Sequence, residues 1–256
     1  MSPDLRHLLD AARQAAREAA AAILDIYATP FDVRKKFDAS PVTEADEHAE
    51  RIIIAALTKA APEIPVIAEE MMAGGAKPEA SERFWLVDPL DGTREFVAKN
   101  GEFCVSIGLI EGDRPILGVI HVPVANVTYA AAGFDTATRQ DGNTQPVAIH
   151  TRAIPASGAV VTGSRSHGNN TKLADYIATL DAPQTRTSGS AVKFCFLAEG
   201  SADLYPRFGP TMEWDTAAGH AILEAAGGSV TQWDGTPLRY GKPNFRNPEF
   251  LARGKN

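Results

Sequence analysis

The stretch Trp85-Leu-Val-Asp-Pro-Leu-Asp-Gly-Thr-Arg-Glu-Phe96 constrains the fold more than any other part of the chain. Residues 84–87 form a short apolar run with the pattern of a buried strand. Asp88 falls where that strand is expected to end, and Pro89 and Gly92 predict a tight turn there. Asp88 and Asp91, three residues apart on such a turn, can enter one cavity and share a hard cation. Mg²⁺ takes oxygen ligands at about 2.0–2.1 Å in near-octahedral geometry and keeps several waters or phosphate oxygens. The Leu90 carbonyl, between the two carboxylates, offers a further oxygen. Gly92 permits close backbone approach, so that the Gly92 and Thr93 amides can receive a phosphate. An ordinary Asp-Pro…Asp-Gly surface turn accounts for the same residues, and the other acidic positions bear on the choice.

The 256 residues suffice for one large domain or two small ones, and 44% hydrophobic content is enough for a substantial core. A net charge of −7 argues against a broad nucleic-acid-binding surface. An acidic protein that handles an anionic substrate needs cations at its site. Cys104 and Cys195, each set beside phenylalanine, predict buried thiols rather than a disulfide. No run approaches the ~18 apolar residues of a membrane span, and residues 1–30 lack a signal-peptide pattern, which predicts a cytoplasmic protein.

Residues 5–27 carry Leu8, Leu9, Ala12, Ala16, Ala19, Ala20, Ile23 and Leu24 at helical spacing, and predict a long amphipathic helix ended near Thr29-Pro30. Its acidic residues favour packing on the protein over contact with a membrane. Residues 31–37 read as a strand or an exposed loop. In Ser40-Pro-Val-Thr-Glu-Ala-Asp46, Thr43 is an N-cap candidate with Asp46 in the capping-box position of a helix running to about residue 60. Residues 64–68 predict a short strand ending at Glu69-Glu70, carboxylates that need water, a partner or a metal. Residues 71–82 read as a polar flap.

Residues 103–110, 116–122 and 127–131 predict an antiparallel meander, with short strands at 136–139 and 146–149, and His121 as a structural histidine within it. Beyond residue 150, strands and helices alternate. A strand at 159–162 is followed by a polar loop at 163–168 and a helix at 173–180. A strand at 185–187 leads to Ser188-Gly-Ser190, which reads as the cap of a helix at 191–199. A strand at 202–205 precedes a rigid loop at 206–210. Asp215 reads as the opener of a helix at 214–228, and 229–232 as the last clear strand. No repeat or linker interrupts the chain. The expectation is one unit over 1–256, with halves near 1–150 and 151–256.

Taken singly, Asp46, Glu69, Asp88, Asp91 and Asp215 each have a capping or surface explanation. Together, the segment 85–96, the Glu69-Glu70 pair, Val42-Thr-Glu-Ala-Asp46 and Trp214-Asp-Thr-Ala-Ala-Gly219 resemble the inositol monophosphatase-like, lithium-sensitive metal-dependent phosphatases, in order and spacing across nearly the whole chain. Thr93-Arg-Glu-Phe-Val-Ala-Lys-Asn-Gly-Glu-Phe103, Gly189-Ser-Ala-Val-Lys-Phe-Cys195 and Leu204-Tyr-Pro-Arg-Phe-Gly-Pro210 are most similar to the CysQ-type 3′(2′),5′-bisphosphate nucleotidase branch. Glu224-Ala-Ala-Gly-Gly228 departs from the family's common Glu-Ala-Gly-Gly ending, away from the metal residues.

The resemblance implies a layered αβαβα, α+β fold and two or three Mg²⁺ held by Glu69, Asp88, the Leu90 carbonyl, Asp91 and Asp215. It further implies that Thr93 and Glu69 orient the attacking water with help from Asp46, and that Gly92 and Thr93 amides bind the departing phosphate. Ser190, Lys193 and Arg207 become substrate-binding candidates, with Lys193 or Arg207 meeting a second phosphate; a structural ion pair or a solvated side chain is the competing assignment. The implied substrate is adenosine 3′,5′-bisphosphate, a by-product of sulfate assimilation, with no nucleic-acid polymer as partner. Another small phosphomonoester such as inositol 1-phosphate, or a catalytically silent binding protein, are the alternatives. Homodimers and peripheral contact with the cytoplasmic membrane occur among relatives and are compatible with this chain.

Overall fold

The computed structural model describes residues 2–35, 41–76, 78, 81–164 and 171–255. The chain opens with α1 (Pro3–Tyr27), capped by the Ser2 hydroxyl, which accepts from the Leu5 N–H at 3.2 Å. Its stripe of Leu8, Leu9, Ala12, Ala15, Ala16, Ala19, Ala20 and Ile23 is buried. Small residues along it let α2 (Glu44–Ala60) pack closely, with Ile53 and Leu57 fully covered. A two-stranded ribbon, β1 (Arg34–Lys35) against β2 (Pro41–Val42), lies between the helices in sequence. Residues 36 and 37 of the predicted 31–37 segment, and Ser40, are outside the described residues. Thr43 and Asp46 form the expected capping box.

The first sheet runs in sequence order: β3 (Val66–Ala68), β4 (Arg83–Asp91), β5 (Cys104–Glu111), β6 (Arg114–Val122), β7 (Val127–Ala132), β8 (Thr138–Asp141) and β9 (Val147–Ala148). Only β3 with β4 is parallel; the rest is the predicted meander. Both faces of β4 are buried, so Trp85 and Val87 pack toward α1 and α2 while Phe84 and Leu86 face the other core. His121 is buried and hydrogen-bonded through Nδ1 to Thr128 Oγ1 at 2.9 Å, as a structural histidine should be.

Two local expectations need correction here. β4 does not end at Asp88 but continues to Asp91, with a register shift against β5 between those two residues. Pro89, which has no N–H to give, sits in that irregularity, where a strand tolerates it. Residues 71–73 are not loop, because Glu69 and Glu70 open the short helix α3 (Glu69–Ala73). Positions 77, 79 and 80 of the predicted flap are outside the described residues. After β4, Gly92 turns the chain at φ 97° into α4 (Thr93–Val97).

The second sheet has the order β11-β10-β12-β14-β13. Its elements are β10 (Val160–Ser164), α5 (Thr171–Ala178), β11 (Gln184–Ser188), α6 (Val192–Ala198), β12 (Leu204–Arg207), α7 (Ala217–Ala225), β13 (Ser229–Gln232) and β14 (Phe250–Arg253). β10 runs parallel to β11 and β12, whereas β14 is antiparallel to β12 and β13. β14 was not expected: Phe250–Arg253 is short, but its first three residues are buried between two strands. Pro206 and Arg207 belong to β12 rather than to a loop, held by pairing with Leu251 and Phe250. Of the predicted loop at 163–168, Gly163 and Ser164 end β10, and 165–168 lie outside the described residues.

Helices α1 and α2 cover one face of the first sheet; α6 and α7 fill the space between the sheets; α5 packs on the outer face of the second through Tyr176 and Ile177. The layers are therefore α, β, α, β, α, as the resemblance implied. No helix among the described residues is long and apolar enough to cross a membrane.

Candidate active site

Where β4 ends, its local hydrogen bonds aim the acidic residues inward. Asp88 is buried and its Oδ1 accepts from the Leu90 N–H at 3.0 Å. The Thr93 hydroxyl oxygen lies 3.0 Å from Asp46 Oδ1, toward which it donates, and 3.2 Å from the Leu90 carbonyl oxygen. Asp46 Oδ2 is committed to its own helix start, accepting from Thr43 N–H at 2.8 Å and Thr43 Oγ1 at 2.7 Å. The capping box of α2 thus fixes the carboxylate that meets Thr93. Gly92 is needed twice: its φ is positive, and a Cβ there would lie 3.0 Å from the Glu102 carbonyl oxygen.

Three chain segments converge on this turn. Glu69 comes from the β3–α3 junction, Asp88 from β4, and Asp215 from the segment just before α7. A ligand oxygen from each lies within 4.8 Å of the others. Asp91 stands beside them and accepts from the Ala191 N–H. Burial pushes the Asp91 carboxyl up to about 6, further raised by the negative charges of Glu69 and Glu95 and opposed by Lys193 and the Ala191 N–H. Asp215 is pushed well above the usual carboxylate range, first by burial and then by Asp91 and Glu69. Carboxylates crowded in this way, Asp88 buried and the others half-buried, call for positive charge, and an all-oxygen donor set fits Mg²⁺ rather than a soft metal. Cys104 contributes no thiolate, because burial drives its pKa well up.

These residues line a cleft of about 350 Å³ that Ser190, Lys193 and Arg207 also line. Every predicted site residue lines it except Asp46, which stands behind Thr93. Lys193 is buried; its ammonium donates to the carbonyls of Ser188 (3.3 Å) and Ser190. Arg207 gives one N–H to the Pro210 carbonyl at 3.0 Å, and its Nε has no partner among the described residues.

Two capping assignments fail. Ser188 and Ser190 do not cap α6, since Ala191 occupies the N-cap with no side-chain hydrogen bond, and Ser190 is left-handed at φ 50°. Asp215 is not an N-cap either: α7 begins at Ala217, and Asp215 Oδ2 accepts from the Met212 N–H at 2.8 Å. In both cases the residue is turned toward the cleft. The cleft also contains Glu95, Tyr205 and the Ala191 amide, which sequence reasoning missed. Glu95 sits inside the 85–96 stretch and was readable as a third local carboxylate, whereas a backbone amide from another segment leaves no sequence signal.

The profile of the inositol monophosphatase family matches residues 4–253. The 3′(2′),5′-bisphosphate nucleotidase CysQ of Escherichia coli O157:H7 is 46% identical over 246 residues, covering 95% of this chain and 98% of the relative. The crystal structure of CysQ from Bacteroides thetaiotaomicron superposes with a TM-score of 0.83 at 37% identity, over 97% of each chain. An inositol monophosphatase from Anabaena (Nostoc) sp. PCC 7120 superposes at 0.78 with 29% identity, over 98% of this chain and 92% of the other.

Proposed function

The chain belongs to the inositol monophosphatase family, and we propose that it is a Mg²⁺-dependent 3′(2′),5′-bisphosphate nucleotidase that removes the 3′-phosphate of adenosine 3′,5′-bisphosphate. The observation that carries this reading is the convergence of Glu69, Asp88 and Asp215 within 4.8 Å, in a cleft that Lys193 and Arg207 also line. Glu69, Asp88, the Leu90 carbonyl, Asp91 and Asp215 would hold two or three cations. When bound, such ions polarise phosphoryl oxygens and lower the pKa of coordinated water.

The chain's own groups do the positioning. Thr93 and Glu69 orient the attacking water. The Thr93 hydroxyl, donating toward Asp46, turns a lone pair to the cleft and can accept a hydrogen bond from that water. The Gly92 and Thr93 amides hold the transferred phosphate. Attack by water is direct: the cleft's carboxylates are the groups that would hold the cations, and the Thr93 hydroxyl is engaged with Asp46. Arg207, with N–H groups to spare, meets the second phosphate from the wall formed with Ser190. Lys193 supports it as fixed positive charge beneath the carboxylates, its hydrogen bonds being committed to main chain.

A comparison of kcat/KM for adenosine 3′,5′-bisphosphate and inositol 1-phosphate tests the assignment. We expect a preference of about tenfold or more for the nucleotide, ~1.4 kcal/mol of transition-state binding. Preference for the inositol ester would leave the metal chemistry in place and overturn the nucleotidase assignment.

A further inference from the structure

Asp215 is carried by a segment without regular structure, between β12 and α7, yet its position must hold to within tenths of an ångström for a cation site to form. The group that fixes it comes from far along the chain. Asn247 Nδ2 lies 2.7 Å from the Met212 carbonyl, 3.0 Å from Thr216 Oγ1 and 3.3 Å from Thr211 Oγ1, so one amide brackets the segment on both sides of Asp215. The Met212 N–H in turn donates to Asp215 Oδ2 at 2.8 Å. The Asn247 N–H and the Phe245 carbonyl pair with the Thr211 carbonyl and the Glu213 N–H at 2.9 and 2.7 Å. Glu213, fully buried, returns the grip: it accepts from the Gly241 and Lys242 amides at 2.7 and 2.9 Å and from the Lys242 ammonium at 2.7 Å.

The clasping turn is itself strained. Asn244 and Phe245 are consecutive non-glycine residues at φ 60° and 52°. A bulky aromatic in the left-handed region persists only when its surroundings over-determine it, and such outliers gather at functional sites. Here the surroundings are the Asp215 segment.

We propose that Asn247 is a positioning residue for Asp215, acting through the Met212 peptide, and that the turn at 241–247 is the outer support of the cation site. The proposal rests on the reading of Asp215 as a metal ligand. Removal of such outer support weakens metal binding by about 10–100-fold.

Mn²⁺, which is paramagnetic, serves as the probe: its binding to the full chain is measured by the loss of the free-ion resonance. Asn247→Ala and Asn247→Asp, the second keeping the shape while removing the donor, are expected to raise the Mn²⁺ Kd about tenfold or more. Arg152→Ala is the control for general destabilisation. It breaks the Arg152–Asp203 pair (2.8 Å) at the opposite end of β12 and β14 and should leave the Mn²⁺ Kd as in wild type. Wild-type Kd in both Asn247 variants would overturn the proposal. If Asn247→Ala does not fold, Glu213→Gln loosens the same clasp from the other side: a raised Mn²⁺ Kd supports the proposal, and a wild-type Kd overturns it. Absence of Mn²⁺ binding by the wild type would overturn the proposal together with the metal reading on which it rests.

Discussion

Asp91→Asn is expected to lower kcat/KM for adenosine 3′,5′-bisphosphate by about a thousandfold or more, ~4 kcal/mol, while making the metal-free protein more stable at neutral pH. The two effects share one cause. Asp91 is half-buried among Glu69, Asp215 and Glu95, and loss of solvent pushes its carboxyl from an ordinary 3.8 up to about 6. Between those values the folded protein holds a proton that the unfolded chain has released. Stability of the metal-free protein therefore falls as pH rises from about 4 to about 6 and stays lowered above that. Asparagine carries no charge to desolvate, so the variant should lose Asp91's share of this slope, keep that of Asp215, and melt at a higher temperature at pH 7.

Cations reverse the ranking. They bind the folded state and stabilise the wild type by RT ln(1 + [L]/Kd), a gain the variant should largely lack. Thermal melts with and without Mg²⁺, across pH 4–8, check both signs. Loss of activity accompanied by a lower melting temperature of the metal-free variant would mean that Asp91 acts through packing instead.

Gly118→Ala is expected to lower the melting temperature by roughly 10 °C, from a cost of about 3 kcal/mol or more. Gly118 of β6 stands opposite Gly108 of β5, and α7 lies directly on that pair. A Cβ on Gly118 would sit 2.2 Å from the Ala218 carbonyl oxygen, and one on Gly108 2.7 Å from the Ala217 Cβ. Backbone cannot rotate away as a flexible side chain can, so α7 must lift off the sheet. Asp215 lies two residues before α7, and displacement of that helix separates it from Asp88. A loss of about a hundredfold in kcat/KM should accompany the stability loss, as for a misplacement on the order of 1 Å. Melting within about 2 °C of wild type, by calorimetry, would show that the two layers can part more easily than this packing implies.

What the sequence reveals of the site follows from how local each contact is. Asp88, Leu90, Asp91, Gly92 and Thr93 lie within a few residues of one another, so their spacing allows a shared cavity, and the other acidic segments are needed to prefer it over an ordinary surface turn. The capping box of Thr43 and Asp46 is local in the same sense and forms as expected. What failed depends on tertiary partners. Asp215 resembles an N-cap until Glu69 and Asp88 from other segments are beside it, and β14 is too short to be recognised without β12 and β13 beside it. Pro89 resembles a strand terminator, yet β5 carries the strand past it through a register shift. The glycines at 108 and 118 give no hint from sequence that a helix rests on them.

The central claim is that these carboxylates form a cation-dependent site that cleaves the 3′-phosphoester of a bisphosphonucleoside. Its most direct test follows the nucleotide product and inorganic phosphate released from adenosine 3′,5′-bisphosphate, with the protein first stripped of cations and then titrated with Mg²⁺. The account predicts no release without cation, and with Mg²⁺ one phosphate and one adenosine 5′-monophosphate per turnover. Release that is indifferent to Mg²⁺, or a product retaining the 3′-phosphate, would contradict it.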